Sequence, residues 1–156
     1  MKRASPPTQS QAVLYLSAIR DPDRHHRAAA IRALGERTQR AEFSQPPRPI
    51  INAFAQAAKD PEPAVVGTVA AATQQLIDHG ITDNHRRTIA TAMLANTRVP
   101  DRAVSMHAHA IATTAVGLND LIPRFQTYLA TTARPTLAPG EADRYLAIIR
   151  GRTPSP

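Results

Sequence analysis

The chain contains no cysteine, which excludes disulfide bonds and thiolate metal sites. It also has no tryptophan, and aromatic residues make up only 4% of its 156 residues. Apolar residues reach 42%, and many of them are alanine. A core of alanine with isoleucine, leucine and valine suits helices that pack at short distances. Because the alternating β-branched and aromatic pattern of strands is also missing, we predict an all-α protein.

Long apolar runs are missing as well. The longest stretches without formal charge, around 63–77 and 103–119, contain polar residues and are too short to span a membrane. The N-terminus has two basic residues without an apolar run behind them, so we expect no signal peptide. Together with the lack of cysteine, this pattern fits a cytoplasmic protein. We expect residues 1–9 to form a flexible arm, 10–151 the folded domain and 152–156 a flexible tail.

Four prolines recur at intervals of 39 residues, at Pro22, Pro61, Pro100 and Pro139. A proline disfavours helical geometry in the residue before it, so each of these sites ends one helix and precedes the next. At the first site, Asp21 is the expected N-cap and Pro22 the expected first-turn residue. Each unit then contains a short apolar helix and a longer Ala-rich helix, a size typical of helix-pair solenoids. We predict a right-handed α-solenoid of about four hairpins, with an irregular helical bundle as the alternative.

The expected helices end at glycine or proline signals. Gly80 and Gly117 are predicted C-caps, and Gly35 is expected at or near a helix end. The predicted helices cover about 10–20, 22–40, 50–60, 61–80, 83–98, 100–117, 119–131 and 141–151.

The first hairpin also resembles a known family. The run DPDRHHRAAAIRALG, at 21–35, is similar to the HEAT-repeat signature, which has an Asp-Pro turn, a Val-Arg pair and an Ala-rich helix ending in Ala-Leu-Gly. The first unit keeps Arg27 but has His26 in place of valine, and the second has Val66 where arginine is usual. The resemblance implies a binding scaffold without enzymatic activity.

Residue patterns for catalysis or metal binding are absent from the sequence. The six glycines stand singly, so no phosphate-binding glycine loop is present, and no motif surrounds the serines. The histidine pairs His25–His26 and His107–His109 have spacings that do not place both rings on one helix face. We therefore expect no enzymatic activity, no metal and no cofactor.

Two helices, 63–77 and 103–117, carry no formal charge. Such a helix is either covered by its neighbours or presents a neutral surface. In the second case, small residues allow a partner helix or extended peptide to approach closely. We therefore predict a monomer that binds a protein partner through the concave face of the solenoid. The expected groove floor comprises Gly67, Ala71, Gln74, Met106, Ala110 and Thr113.

Nucleic-acid binding is the alternative. The net charge is +7, and the chain up to Arg48 holds nine basic residues against four acids. Arg24, Arg27 and Arg32 lie in the first hairpin, and a helical wheel places Arg24, Arg32 and Arg102 opposite the buried stripe. This patch could contact the phosphates of DNA or RNA. A second route is a helix-turn-helix over 72–94, although Arg86 occupies a position where that motif usually has a buried aliphatic residue.

Overall fold

A computed structural model describes residues 17–40, 48–133 and 136–151, and in these residues the secondary structure is entirely helical. The predicted arm (1–9), the predicted tail (152–156) and most of the first predicted helix (10–20) lie outside the described residues. The helices are α1 (Arg24–Arg40), α2 (Arg48–Ala57), α3 (Pro63–Gln75), α4 (Asp83–Leu94), α5 (Val104–Thr114), α6 (Ile122–Tyr128) and α7 (Glu141–Ile149).

The Asp-Pro turns lie just before helices α1 and α3 rather than inside them. Helix α1 begins at Arg24, and its cap is Asp23, whose carboxylate accepts the backbone N–H of His25 at 2.7 Å. The predicted cap Asp21 instead accepts the N–H of Asp23 at 2.8 Å, so it shapes the turn around Pro22. At the second turn Asp60 accepts the N–H of Glu62 at 2.9 Å in the same way. The assignment of Asp21 as N-cap was therefore wrong by two residues.

Several predicted helices are shorter in the structure. Helix α4 ends at Leu94 instead of 98, and its start is fixed by a capping box between Thr82 and His85. A short 3₁₀ turn, Asp101–Ala103, precedes α5. Another, Asn119–Leu121, precedes α6, and a π-helical turn, Leu129–Ala133, follows it. The single helix predicted over 119–131 is thus a 3₁₀ turn, an α-helix and a π-helical turn in succession.

The glycines show which helix ends were predicted well. Gly80 and Gly117 have φ angles of 92° and 81°, the left-handed geometry that ends a helix. Gly35, in contrast, lies in the interior of α1 and is buried. A Cβ atom at this position would stand 3.0 Å from the Cβ of Ala72, so the missing side chain allows α1 and α3 to approach closely. The expectation that Gly35 lies near a helix end was wrong.

The helices pack in two series. The odd-numbered helices contact one another in sequence, with α1 on α3, α3 on α5 and α5 on α7. The even-numbered helices do the same, with α2 on α4 and α4 on α6. Contacts between the two series join α1 to α2, α2 to α3, α4 to α5 and α6 to α7. The core lies between the two series and is built mainly from alanine and branched aliphatic side chains, with Phe54 and Phe125 as its largest fully buried members.

Polar contacts between helices join residues that are far apart in sequence. The guanidinium of Arg27 donates to both carboxylate oxygens of Asp60, from Nε at 2.8 Å and from Nη2 at 3.1 Å. The side-chain amide of Asn96 donates to the carbonyls of Ala58 and Asp60, at 3.0 and 2.9 Å. The hydroxyl of Tyr145 donates to the carbonyl of Ser105 at 3.1 Å. The three contacts span 33, 36 to 38 and 40 residues, close to one 39-residue interval. None of the described helices is long and apolar enough to cross a membrane.

Candidate binding surface

The solvent side of the odd-numbered helices, here called the odd-helix face, is uncharged in its middle. Neither α3 nor α5 contains Asp, Glu, Lys or Arg. Both helices bury one side against the core, yet each keeps a stripe of exposed or half-buried positions. The stripe comprises Ala64, Gly67, Thr68, Ala71, Gln74 and Gln75 on α3, and Ser105, Met106, His109 and Thr113 on α5.

The threonine hydroxyls of this stripe are bonded within their own helices. Thr68 donates to the carbonyl of Ala64 at 2.8 Å, and Thr113 donates to the carbonyl of His109 at 3.0 Å. A hydroxyl that bonds to the carbonyl four residues earlier leaves its methyl group for outside contacts. The stripe therefore presents these threonine methyl groups beside other uncharged side chains, both apolar and polar.

Two shallow grooves lie on the odd-helix face. The first groove, about 400 Å³, runs between α1 and α3. The second groove, about 460 Å³, runs between α5 and α7. A Cβ atom added at Gly67, in the first groove, would meet no other atom within 4 Å. The first groove is lined by Arg32, Glu36, Ala64, Gly67, Thr68, Ala71, Ala72 and Gln75, and the second by Ser105, Met106, His109, Arg144, Tyr145 and Ile148.

The predicted groove residues are distributed unevenly over this face. Met106 is 55% exposed and lines the second groove. Gln74 is exposed and Thr113 is half-buried, but neither lines a groove. Ala110 is only 4% exposed, because it faces the core, so its expected place in the groove floor was wrong.

The predicted basic patch is partly neutralised within the chain. Arg24, Arg32 and Arg102 are exposed. Arg24 lies 3.4 Å from the carboxylate of Glu62, with the two side chains 56% and 32% exposed. The guanidinium of Arg27 is more deeply engaged, because it also donates to the carbonyls of Asp21 and Pro22 at 2.9 and 3.0 Å. Its side chain is 14% exposed, and the hydrogen bond to Asp60 raises the pKa of Arg27.

The arginines of the helix-turn-helix alternative are also bonded within the chain. Arg86 is 7% exposed, and it donates to the carbonyls of Thr114 and Val116 at the end of α5. Arg87 forms a two-point contact with Asp120, at 2.7 and 3.0 Å. The hydrogen bond from Arg87 holds the pKa of Asp120 below its usual value.

One wall of the second groove is formed by α7 through Arg144, Tyr145 and Ile148, and the sequence pattern did not predict it. The hydroxyl of Tyr145 donates to Glu141 at 2.5 Å, and the guanidinium of Arg144 lies 5.9 Å from the Tyr145 ring centre. Hydrogen bonds from Ser105, Tyr145 and the N–H of Ala138 lower the pKa of Glu141. Burial and the bond to Glu141 raise the pKa of Tyr145 to about 12. The sequence contained one signal, because His109 and Ile148 each lie nine positions after one of the four prolines spaced by 39 residues.

No group of three or more His, Asp or Glu side chains within the described parts of the chain is arranged to hold a metal ion. No protein-family model, curated protein or solved structure matches the chain.

Proposed function

We propose that the helices form a short right-handed solenoid of about four HEAT-like hairpins. The alternate packing of odd- and even-numbered helices supports this arrangement, since stacked hairpins contact their neighbours through equivalent helices. Several positions separated by 39 residues also share burial. Ala30, Val69 and Ala108 each lie eight residues after a repeat proline and are buried, and Ile50 and Ile89, 39 residues apart, are buried as well.

We further propose that the protein is a non-enzymatic scaffold that binds a protein partner through the odd-helix face. The observation that carries this proposal is the charge-free, solvent-exposed stripe on α3 and α5. In a chain with a net charge of +7, an exposed helical stripe without charged residues is typical of a surface that another molecule covers.

The shape and charge of this face favour an amphipathic helix with acidic flanks. Small residues at Ala64, Thr68 and Ala71 follow helical spacing and allow a second helix to approach closely. The stripe is bordered by Arg32 and Glu36 at one groove and by Arg144 at the other. A partner helix can therefore bury an apolar side on the stripe and direct carboxylates towards these two guanidinium groups.

Nucleic-acid binding through the first hairpin has less geometric support. The arginines predicted for that role include Arg24 and Arg27, which contact Glu62 and Asp60 within the chain. These arginines could contact phosphates only if the ion pairs broke. The free-energy cost is greatest for the largely buried Arg27–Asp60 pair.

The proposal is tested by placing a charge in the stripe. Met106→Asp puts a carboxylate on a 55% exposed position, so the fold should persist while the affinity for a protein partner falls by about 100-fold or more. The partner is captured from nuclease-treated lysate, purified and titrated against wild type and variant by isothermal calorimetry at low and moderate salt.

The matched control is Ile77→Asp. Ile77 is 39% exposed, follows α3 and lines neither groove, so the same change there should leave the affinity within about twofold. Equal binding by wild type and Met106→Asp, with both folded by circular dichroism, contradicts the proposed surface. So does an affinity that collapses with salt and disappears after nuclease treatment.

A further inference from the structure

A cleft of about 510 Å³ lies at one edge of the molecule, where three chain turns stack on one another. We call it the turn-edge cleft. It is formed by the first Asp-Pro turn, the second Asp-Pro turn and the loop after α4, and it lies apart from both grooves of the odd-helix face. Its lining comprises Ile19, Arg20, Asp21, Pro22, Arg27, Gln56, Ala57, Lys59, Asp60, Pro61 and Arg98.

Three of these residues are cations at equivalent positions of the repeat. Arg20, Lys59 and Arg98 each stand two residues before a repeat proline, at exact intervals of 39. All three are exposed, and none forms an ion pair with a described residue. Stacked helices are about 10 Å apart, so the three cations form a row roughly 20 Å long.

The two acids of the turn-edge cleft already have hydrogen-bond partners within the chain. Asp60 accepts two hydrogen bonds from Arg27 and one from the N–H of Glu62. Asp21 accepts the N–H of Asp23 and lies 3.3 Å from the ring of His26. The Arg27 and Asp60 charges cancel, which leaves three cations against one carboxylate in the cleft.

The walls of the cleft are fixed by side chains that join successive turns. Arg27 joins the first turn to the second through Asp60 and the carbonyls of Asp21 and Pro22. Asn96 joins the third turn to the second, and its side-chain oxygen accepts the N–H of Arg98 at 2.9 Å. The backbone that carries the cation row is therefore held in place before any ligand arrives.

We propose that the turn-edge cleft binds the phosphate backbone of duplex nucleic acid. Each strand of a duplex carries its phosphates at a short, regular spacing, so a row of cations roughly 20 Å long meets several of them. Each cation of the row can then contact a phosphate in any register. A ligand with discrete phosphate groups, such as a phosphopeptide, needs groups at matching distances to do the same.

The lining selects a duplex over a single strand. Proteins that bind single strands usually stack the bases on aromatic side chains. No aromatic side chain is among the described residues that line the cleft. A duplex presents a continuous sugar-phosphate surface, which arginine and lysine recognise without reading the sequence. The net charge of +7 and a pI of about 11.0 also favour the binding of a polyanion.

The test is the salt dependence of binding to a fluorescein-labelled duplex of mixed sequence, measured by anisotropy. The variant Arg20→Ala/Lys59→Ala/Arg98→Ala should bind more weakly. The slope of log K against log salt should become less negative by about 2.7, since three lost phosphate contacts contribute about 0.9 each. The control Arg40→Ala/Arg124→Ala/Arg150→Ala removes the same charge from exposed positions outside the cleft and should lose far less affinity.

Three results would overturn the proposal. The first is an equal loss in the two triple variants, which shows that only net charge matters. The second is tighter binding to a single strand of the same length, and the third is equal competition by polyglutamate at matched charge. Met106→Asp should bind the duplex like wild type. A failure of the proposed duplex binding can therefore be distinguished from a failure of the proposed protein-binding surface.

Discussion

His107 is a buried histidine with one ring nitrogen bonded and the other without a partner. It is 1% exposed, and its Nε2 lies 2.8 Å from the carbonyl of Met93, to which it donates. Its Nδ1 has no hydrogen-bond partner, and the Tyr128 ring packs edge-on at 6.0 Å. Protonation would place a second N–H where no acceptor stands. Burial therefore lowers the pKa of His107.

This burial predicts a loss of stability in mild acid. The folded state resists protonation of His107, whereas the unfolded chain binds the proton near the ordinary pKa of 6.5. Below pH 6.5 the unfolded state then holds more protons, and the free energy of unfolding falls by up to about 1.4 kcal/mol per pH unit until the folded pKa is reached. Urea unfolding at pH 7.5, 6.5 and 5.5 measures this slope. His107→Gln should reduce it, and the slope that remains includes the contribution of His85, whose pKa burial also lowers.

The control for this prediction is His109→Gln, an exposed position on the same helix, which should keep the wild-type slope. The pKa values of Asp23 and Glu141 are lowered, so the stability linked to these carboxyls is lost only in stronger acid, outside the window tested. An unchanged slope in His107→Gln would show that the buried ring does not control stability in mild acid.

At the scale of helices, the Arg27–Asp60 pair is the main polar link between the first two turns. Its side chains are 14% and 10% exposed. Arg27→Ala leaves a buried carboxylate without its charge partner, and we expect the free energy of unfolding to fall by about 2–3 kcal/mol. Arg27→Lys should recover only part of this loss, because an ammonium cannot reproduce the two-point contact. Chemical denaturation of the three proteins measures these values.

The Arg24–Glu62 pair provides the comparison, since it bridges the same two units at the surface. At 3.4 Å, with side chains 56% and 32% exposed, it should contribute less than about 1 kcal/mol. Arg24→Ala is therefore expected to unfold nearly like wild type. Similar losses for Arg24→Ala and Arg27→Ala would mean that burial does not distinguish the two pairs.

The helices themselves could be predicted from the sequence, but their ends could not. Proline and glycine signals located every break, because they act on the local backbone. Asp21 and Asp23 are both able to cap, and only the turn geometry shows that Asp23 caps α1 while Asp21 shapes the turn. The expectation for Gly35 was wrong for a similar reason, since its role depends on Ala72, which is distant in sequence.

The surroundings of the candidate site residues could be predicted less well, because charge pairing depends on how the helices pack. Arg27 and Asp60 are 33 residues apart, so nothing local marks them as partners. The predicted basic patch therefore included an arginine that the fold uses internally. Lys59, in contrast, could have been found from the sequence, because it lies 39 residues from both Arg20 and Arg98. The row becomes visible when residues 39 apart are compared for charge as well as for apolar character.

At the scale of the whole molecule, each helix mainly contacts helices that are one or two positions away in chain order. Helix α1 packs mainly on α2 and α3, whereas α7 packs mainly on α5 and α6. In a solenoid, stability is approximately a sum of unit and interface terms, so damage at one end need not reach the other. An irregular bundle with one shared core unfolds as a single unit instead.

Hydrogen exchange distinguishes these two cases. Ile149 is fully buried in α7, and Ile149→Ala should cost about 2–4 kcal/mol because it leaves a cavity. In a solenoid the lost protection is concentrated in α5, α6 and α7, while amides in the core of α1 and α3 exchange nearly as in wild type. Mass spectrometry of the exchanged peptides measures both ends in one experiment. A uniform loss of protection in every described helix contradicts the solenoid, because it shows that the two ends share one cooperative core.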